Sequence, residues 1–195
     1  MLKELLLAVM VLCGIPIITT KPLQKWNFDR RISMSDNQLS MTTYWHVVTN
    51  EAKEKLICQI QKLRNLDNIY VAMVDGSQCL NIDLLFSEFV TAFSFPSYFG
   101  YNWAAFDECL NDLDWITFDG IILIIKDFSK LFDLPQTTLN SLIKCLITAQ
   151  REWSNGRKEG DFSTVPTPFH VILQCNIDQM ERIATFLKEN QICVR

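Results

Sequence analysis

Two rhythms alternate along this chain. Short unbroken apolar runs give way to segments in which apolar positions return every three to four residues. The run "IYVAMV", 69–74, ends in "DGS" and predicts a buried strand and a turn. In "GIILIIK", 120–126, five consecutive Ile/Leu residues predict a strand covered on both faces, as in parallel sheets. "FHVILQC", 169–175, predicts a third buried strand. The helical rhythm first appears in "NIDLLFSEFVTAF", 81–93, where Leu85, Phe89 and Phe93 share a face and Pro96 forces a stop. Asn102 opens a second helix through about Leu113, with Trp103, Phe106, Leu110 and Leu113 as its core stripe. A third covers 137–153, with Leu139, Leu142, Ile143, Leu146 and Ile147 apolar. A last amphipathic helix covers 177–190.

The order strand–helix–helix–strand–helix–strand predicts an α/β domain over about 69–175. Its expected core is a small three-stranded parallel sheet flanked by helices, joined by right-handed crossovers. An added helix is expected at each end. Residues 41–68 form an N-terminal extension that starts with a β-like "YWHVV". It continues with Leu56, Ile60 and Leu63 at i, i+4, i+7 after Asn50 as N-cap. Residues 176–195 form the C-terminal helix extension. A chain of 195 residues is long enough for one such core with additions.

Residues 1–40 are set apart from the fold. "LLLAVMVLCGIPII", 5–18, suits a signal-peptide core and is short for a membrane span, which needs about 20 residues. Glu4 and the missing small-x-small cleavage pattern weaken the signal reading. An uncleaved tether, or a start placed too early with Met34 or Met41 as the true one, are the alternatives.

The charge is lopsided. Against a net −4, residues 1–64 hold nine Lys/Arg and five Asp/Glu, while residues 65–195 hold nine and seventeen. No Lys or Arg lies between Arg64 and Lys126, an interval that carries nine acids. Such a surface aids solubility. It also repels nucleic acid, whose phosphates need cations, and speeds encounter with basic partners. A protein partner is therefore expected and a nucleic-acid partner is not.

Catalytic and metal chemistry finds little footing. The seven cysteines form no C-x-x-C pair, and His46 and His170 lie far apart, so no zinc spacing exists. In "LICQI", "LIKCLI" and "VILQC" the cysteines read as small buried hydrophobes in a reducing compartment. His170, inside an apolar strand, reads as a structural histidine without a nucleophile to serve. "VDGSQ" lacks the P-loop and dinucleotide-binding glycines. "DLDWITFDG" fails the EF-hand spacing. Asp107, Glu108 and Asp112 offer carboxylates for acid–base work, but nothing beside them positions a substrate. The expectation is a non-enzyme with no metal and no cofactor.

The chemistry gathers in "FPSYFGYNWAAFDECLNDLDW", 95–115. Aromatic residues crowd a turn, and Asp107, Glu108, Asp112 and Asp114 follow without a cation. Acids near a helix C-terminus oppose its dipole by about a few tenths of a kcal/mol each, so Asp112 and Asp114 do not serve helix stability. Aromatic residues dominate protein-interaction hot spots. Phe99, Trp103 and Phe106 are assigned to the core, and Tyr98 and Tyr101 to an exposed contact.

This segment resembles the signature of the barstar family, inhibitors of barnase-type ribonucleases. The signature is a Pro, two aromatics and Gly, then x-Asn-hydrophobic opening an acidic helix. Here these are Pro96, Tyr98, Phe99, Gly100, Asn102 and Trp103. The order and spacing of the strands and helices over 69–175 fit the same family. The resemblance implies that the loop and helix plug a ribonuclease active site, with carboxylates where the RNA phosphate binds. It implies partner contacts from Tyr98, Gly100, Asn102 and Trp103 at the loop and helix start, to which the expected exposure of Tyr101 adds a further contact. Ala104, Glu108, Asn111 and Asp112 lie by helical spacing on another side from the core stripe, and with Asp107 they extend the candidate contact face along the helix. Glu108 falls where the family's principal carboxylate is an Asp. Ala104 falls where another interface Asp is typical, so that acid is missing.

The implied function is a ribonuclease inhibitor or immunity protein, monomeric when free. Its partner is a basic extracellular-type ribonuclease or a ribonuclease toxin domain. The alternative is a barstar-fold interaction module whose partner is not a ribonuclease. The expected location is the cytoplasm, where cellular RNA is. Membrane tethering or export through residues 5–18 is the alternative.

Overall fold

The computed structural model describes residues 45–49, 68–157 and 164–192. Four strands pair in parallel in one sheet: β1 (Trp45–Thr49), β2 (Ile69–Asp75), β3 (Gly120–Lys126) and β4 (Phe169–Cys175), in the order β1-β4-β3-β2. The sheet therefore has four strands, not the expected three. The β-like run near the start of the described chain supplies the fourth. It lies against β4 in the register Trp45↔Val171 through Thr49↔Cys175. Local pattern identifies a strand, but not its place in a sheet, because its partner lies near the other end of the sequence.

The unbroken apolar run of β3 has the physical cause expected of it. Ile121, Leu123 and Ile125 point into the main core, and Ile122 and Ile124 are equally buried on the opposite face. Among the described residues four helices pack on the first face: α1 (Ile82–Phe93), α2 (Trp103–Asp112), α3 (Gln136–Asn155) and α4 (Met180–Glu189). The β2-to-β3 and β3-to-β4 connections step the same way across the sheet. Right-handed crossovers then place α1, α2 and α3 on one side. A 3-10 segment, Phe128–Asp133, follows β3 and buries Phe128 and Leu131. A single helix was expected over 177–190. The chain makes a 3-10 turn at Ile177–Gln179 before α4, whose Ile183, Phe186 and Leu187 join the core.

The opposite face buries Val48, Ile69, Val71, Ile122, Ile124 and Ile172, with His46, His170 and Gln174 among them. The rings of His46 and His170 stack with centroids 5.9 Å apart. Burial first, and then His46, hold His170 down at about 4 from an ordinary 6.5. That environment suits a structural histidine. Cys145 and Cys175 are buried free thiols, as their apolar neighbours implied, and so are Cys79 and Cys109. The helix expected after Asn50 and the apolar segment 5–18 lie outside the described residues. Among the described residues no helix is long and apolar enough to cross a membrane.

Candidate functional site

The site begins where α1 ends. Ser94 closes that helix in the left-handed region, φ 51°, and its N–H donates to the Val90 carbonyl. Pro96 then turns the chain, and the Phe99 N–H donates to the Pro96 carbonyl at 2.9 Å. Phe95 and Phe99 are buried beneath this turn, with ring centroids 5.2 Å apart. Phe86 from α1 meets Phe99 and Trp103 edge-on, at 5.7 and 5.0 Å. Such tilted aromatic pairs add to the stabilisation from burial. The loop thus rests on an aromatic floor while its remaining side chains face outward. Phe99 is 5% exposed, whereas Tyr98 is 68% and Tyr101 51% exposed. Phe106 is fully buried, and Trp103 is half-buried against Phe86 and Phe106.

Asn102 couples the loop to the helix. Its Oδ1 accepts from the Ala105 N–H at 2.9 Å, the N-cap bond of α2, and its Nδ2 donates to the Gly100 carbonyl at 3.1 Å. A Cβ on Gly100 would stand 2.9 Å from that Nδ2, so any larger residue displaces the capping amide. Between them Tyr101 takes φ 49°, a left-handed conformation that costs a non-glycine residue roughly 1–2 kcal/mol. Backbone strain of this kind persists where the surroundings over-determine it, and it gathers at functional sites. Here it sets the Tyr101 ring 5.0 Å from Phe99 and leaves it half exposed.

Along α2, Ala104 and Glu108 stand one turn apart on the exposed side. Asp112, a turn further, is half-buried, and Asp114 beyond the helix is exposed. The Tyr98 hydroxyl belongs to the same group. Desolvation, and then the negative charge available at Cys109, Asp112, Glu108 and Asp114, raise its pKa above the ordinary 10.0. Burial, followed by the Asp114 carboxylate beside it, pushes Asp112 up; Arg157 pulls it down and Glu108 pushes it further up. Asp107 turns away from this group. It is half-buried and lies against Cys145 of α3, whose thiol is pushed to about 11 by burial and then by that carboxylate.

Asn111 does not join the outer surface. It is 9% exposed, and its Nδ2 donates to the Asp107 carbonyl one turn back at 2.8 Å. Seven residues after Ala104, position 111 keeps the same side of the helix by period, and what covers it is the end of α3, with Trp153 on the Leu110 carbonyl and Arg157 on the Asn111 carbonyl. Of the ten residues drawn from the sequence, Tyr98, Gly100, Tyr101, Asn102, Ala104 and Glu108 are exposed, and Trp103, Asp107 and Asp112 are half-buried. Two residues that the sequence did not single out complete the site. Trp153 of α3 donates its indole N–H to the Leu110 carbonyl at 3.0 Å, and the guanidinium of Arg157 donates to the Asn111 carbonyl. No local pattern marks either one. Trp153 lies in the last turn of α3 and Arg157 just beyond it, and only the packing of α3 against α2 brings them to the acidic helix.

A parallel α/β domain with a capped acidic helix and exposed tyrosines at its surface is the class that this geometry defines. Residues 69–188 match the family model described as Barstar (barnase inhibitor), and the chain belongs to the barstar family. The match begins at β2 and runs to the last turn of α4. Family membership implies a ribonuclease as the general kind of partner. Among curated proteins none matches the chain in sequence. A structure of the Aeropyrum pernix ORC2 protein, in ADPNP–ADP complexes, is similar with a TM-score of 0.50 at 10% identity. The similarity covers 78% of this chain and 41% of that one. At that identity the likeness is one of fold.

Proposed function

We propose that this protein inhibits a basic ribonuclease by stoichiometric binding, as an immunity or inhibitor protein. The loop 98–102 and the outer side of α2 cover the enzyme's active site. Glu108 is the principal carboxylate, set against the cationic groups that bind RNA phosphate. One observation supports this most: Tyr98, Gly100, Tyr101, Asn102, Ala104 and Glu108 are exposed together on one capped loop–helix unit of a barstar-family domain. Negative charge held outward on a rigid element steers a basic partner and sharpens specificity. The mechanism is contact rather than chemistry. The chain acts as a monomer without cofactor or metal, catalyses nothing, and works in the cytoplasm, where cellular RNA needs protection.

The test is inhibition of barnase and of ribonuclease toxin domains by the purified full chain. Expected is one-to-one inhibition that weakens as salt rises, with a large loss of affinity for Glu108→Ala. Equal binding by wild type and Glu108→Ala would sink the assigned contact. Ala104 favours a second reading, since the family places an acid there. In that reading the same face binds a basic protein that is not a ribonuclease. A basic protein captured through Glu108 and lacking RNA-cleaving activity would decide for it. Mass spectrometry of the natural N-terminus tests the location, because a chain cleaved after residues 5–18 has been exported.

A further inference from the structure

The end of α2 leaves carbonyls without helical donors, and each of three meets a different group. The Leu113 N–H takes the Cys109 carbonyl at 3.3 Å, Trp153 takes that of Leu110 at 3.0 Å, and Nη2 of Arg157 takes that of Asn111. Arg157 is itself anchored. Its N–H donates to the Thr164 carbonyl at 3.2 Å and to the Thr164 Oγ1 at 3.0 Å, and the Thr164 N–H returns to the Arg157 carbonyl at 3.2 Å. A fixed cation therefore reaches the negative end of the α2 dipole, where it is favourable. It arrives beside Asp112, in a stretch of sequence with no Lys or Arg of its own.

Resting on the inhibitory reading above, we infer that Arg157 is a positioning residue of the acidic face: it holds the last turn of α2 and screens Asp112, so that Glu108 is the carboxylate presented to a basic partner. The exposure of the two acids agrees, since Asp112, next to the Asn111 whose carbonyl Arg157 holds, is half-buried and Glu108 is exposed. The Asp112 carboxyl also responds to Arg157, which lowers it against the upward push of burial, Asp114 and Glu108. An inhibitor that leaves every carboxylate free would spread its charge. One that screens Asp112 leaves Glu108 as the dominant charge on the exposed side of α2.

The experiment compares full-length wild type, Arg157→Gln and Arg157→Lys. NMR titration of the Asp112 carboxyl is the readout that a merely structural residue would not move. Expected is a higher titration midpoint in Arg157→Gln than in wild type, largely restored in Arg157→Lys, which keeps the charge. The same midpoint in wild type and Arg157→Gln overturns the inference. With barnase as probe, stopped-flow association of Arg157→Gln at low salt is expected to be about twofold faster, because the patch gains net negative charge. That gain should vanish at high salt. A slower rate, or a gain that survives high salt, overturns the screening role. Failure of wild type to bind barnase counts against the ribonuclease reading alone, and the titration still decides Arg157.

Discussion

Trp153 of α3 donates its indole N–H to the carbonyl of Leu110 on α2, a buried bond of 3.0 Å between helices far apart in sequence. It satisfies one of the carbonyls left open where α2 ends. Trp153→Phe keeps an aromatic ring and removes the donor. Leaving that acceptor buried and unpaired is expected to cost about 1–3 kcal/mol. Urea unfolding monitors this directly, and an unchanged midpoint and slope would show the bond to be dispensable.

Asn102 makes two separable bonds. Asn102→Ala loses both and is expected to cost about 1 kcal/mol through the lost N-cap. Asn102→Asp retains the acceptor for Ala105 but not the donor to Gly100. Its stability should stay near wild type while the loop loosens and partner affinity falls. Thermal melts and binding, measured side by side, separate cap from loop. A parallel loss in both variants would contradict that division.

Ala104 offers a gain rather than a loss. It is exposed one turn before Glu108, at the start of α2. Ala104→Asp supplies the acid typical of the family and sits near the positive end of the helix dipole, which favours it by about 0.3–1 kcal/mol. Affinity for barnase is expected to rise about tenfold or more, in line with close charge pairs across such interfaces. Titration calorimetry measures it. No gain would mean that the partner carries no cation opposite position 104.

His170 sets a pH dependence of stability. Its folded pKa is about 4 against 6.5 unfolded, from burial first and then from His46. Between those values the unfolded chain binds the extra proton, so stability falls as pH drops from about 6.5 toward 4. By pH 5 the loss is about 2 kcal/mol. Unfolding free energies from pH 8 to pH 5 test this. Replacement His170→Gln should flatten the profile, and an equally steep profile in that variant would remove His170 as its cause.

The strands β3 and β4 were legible to the residue, because five consecutive Ile/Leu residues in β3 and the short β-branched and aliphatic run of β4, closed off by turn residues, fit little else. The helices α1 and α2 were legible through their stripes and their Asn caps, and Asn81 and Asn102 make those capping bonds. β1 was visible as a strand and invisible as a member of the sheet. The division of the aromatics into a buried floor and two exposed tyrosines followed from the turn residues around them. Asn111 was placed on the outer face because spacing along the helix was read without knowing what packs beside it.

By itself, then, the sequence determined the periodicities, the caps, the motif Pro96–Trp103 and the long interval without a cation. All of these are local, since they depend on neighbours a few positions away. Tertiary structure decided the rest. It set β1 at the sheet edge, turned Asp107 toward Cys145 and Asn111 inward, and brought Trp153 and Arg157 to the end of the acidic helix. The last of these changes the chemistry most. A segment that carries no cation of its own receives one from more than forty residues downstream, because helices packed side by side leave carbonyl ends that only a neighbouring element can satisfy.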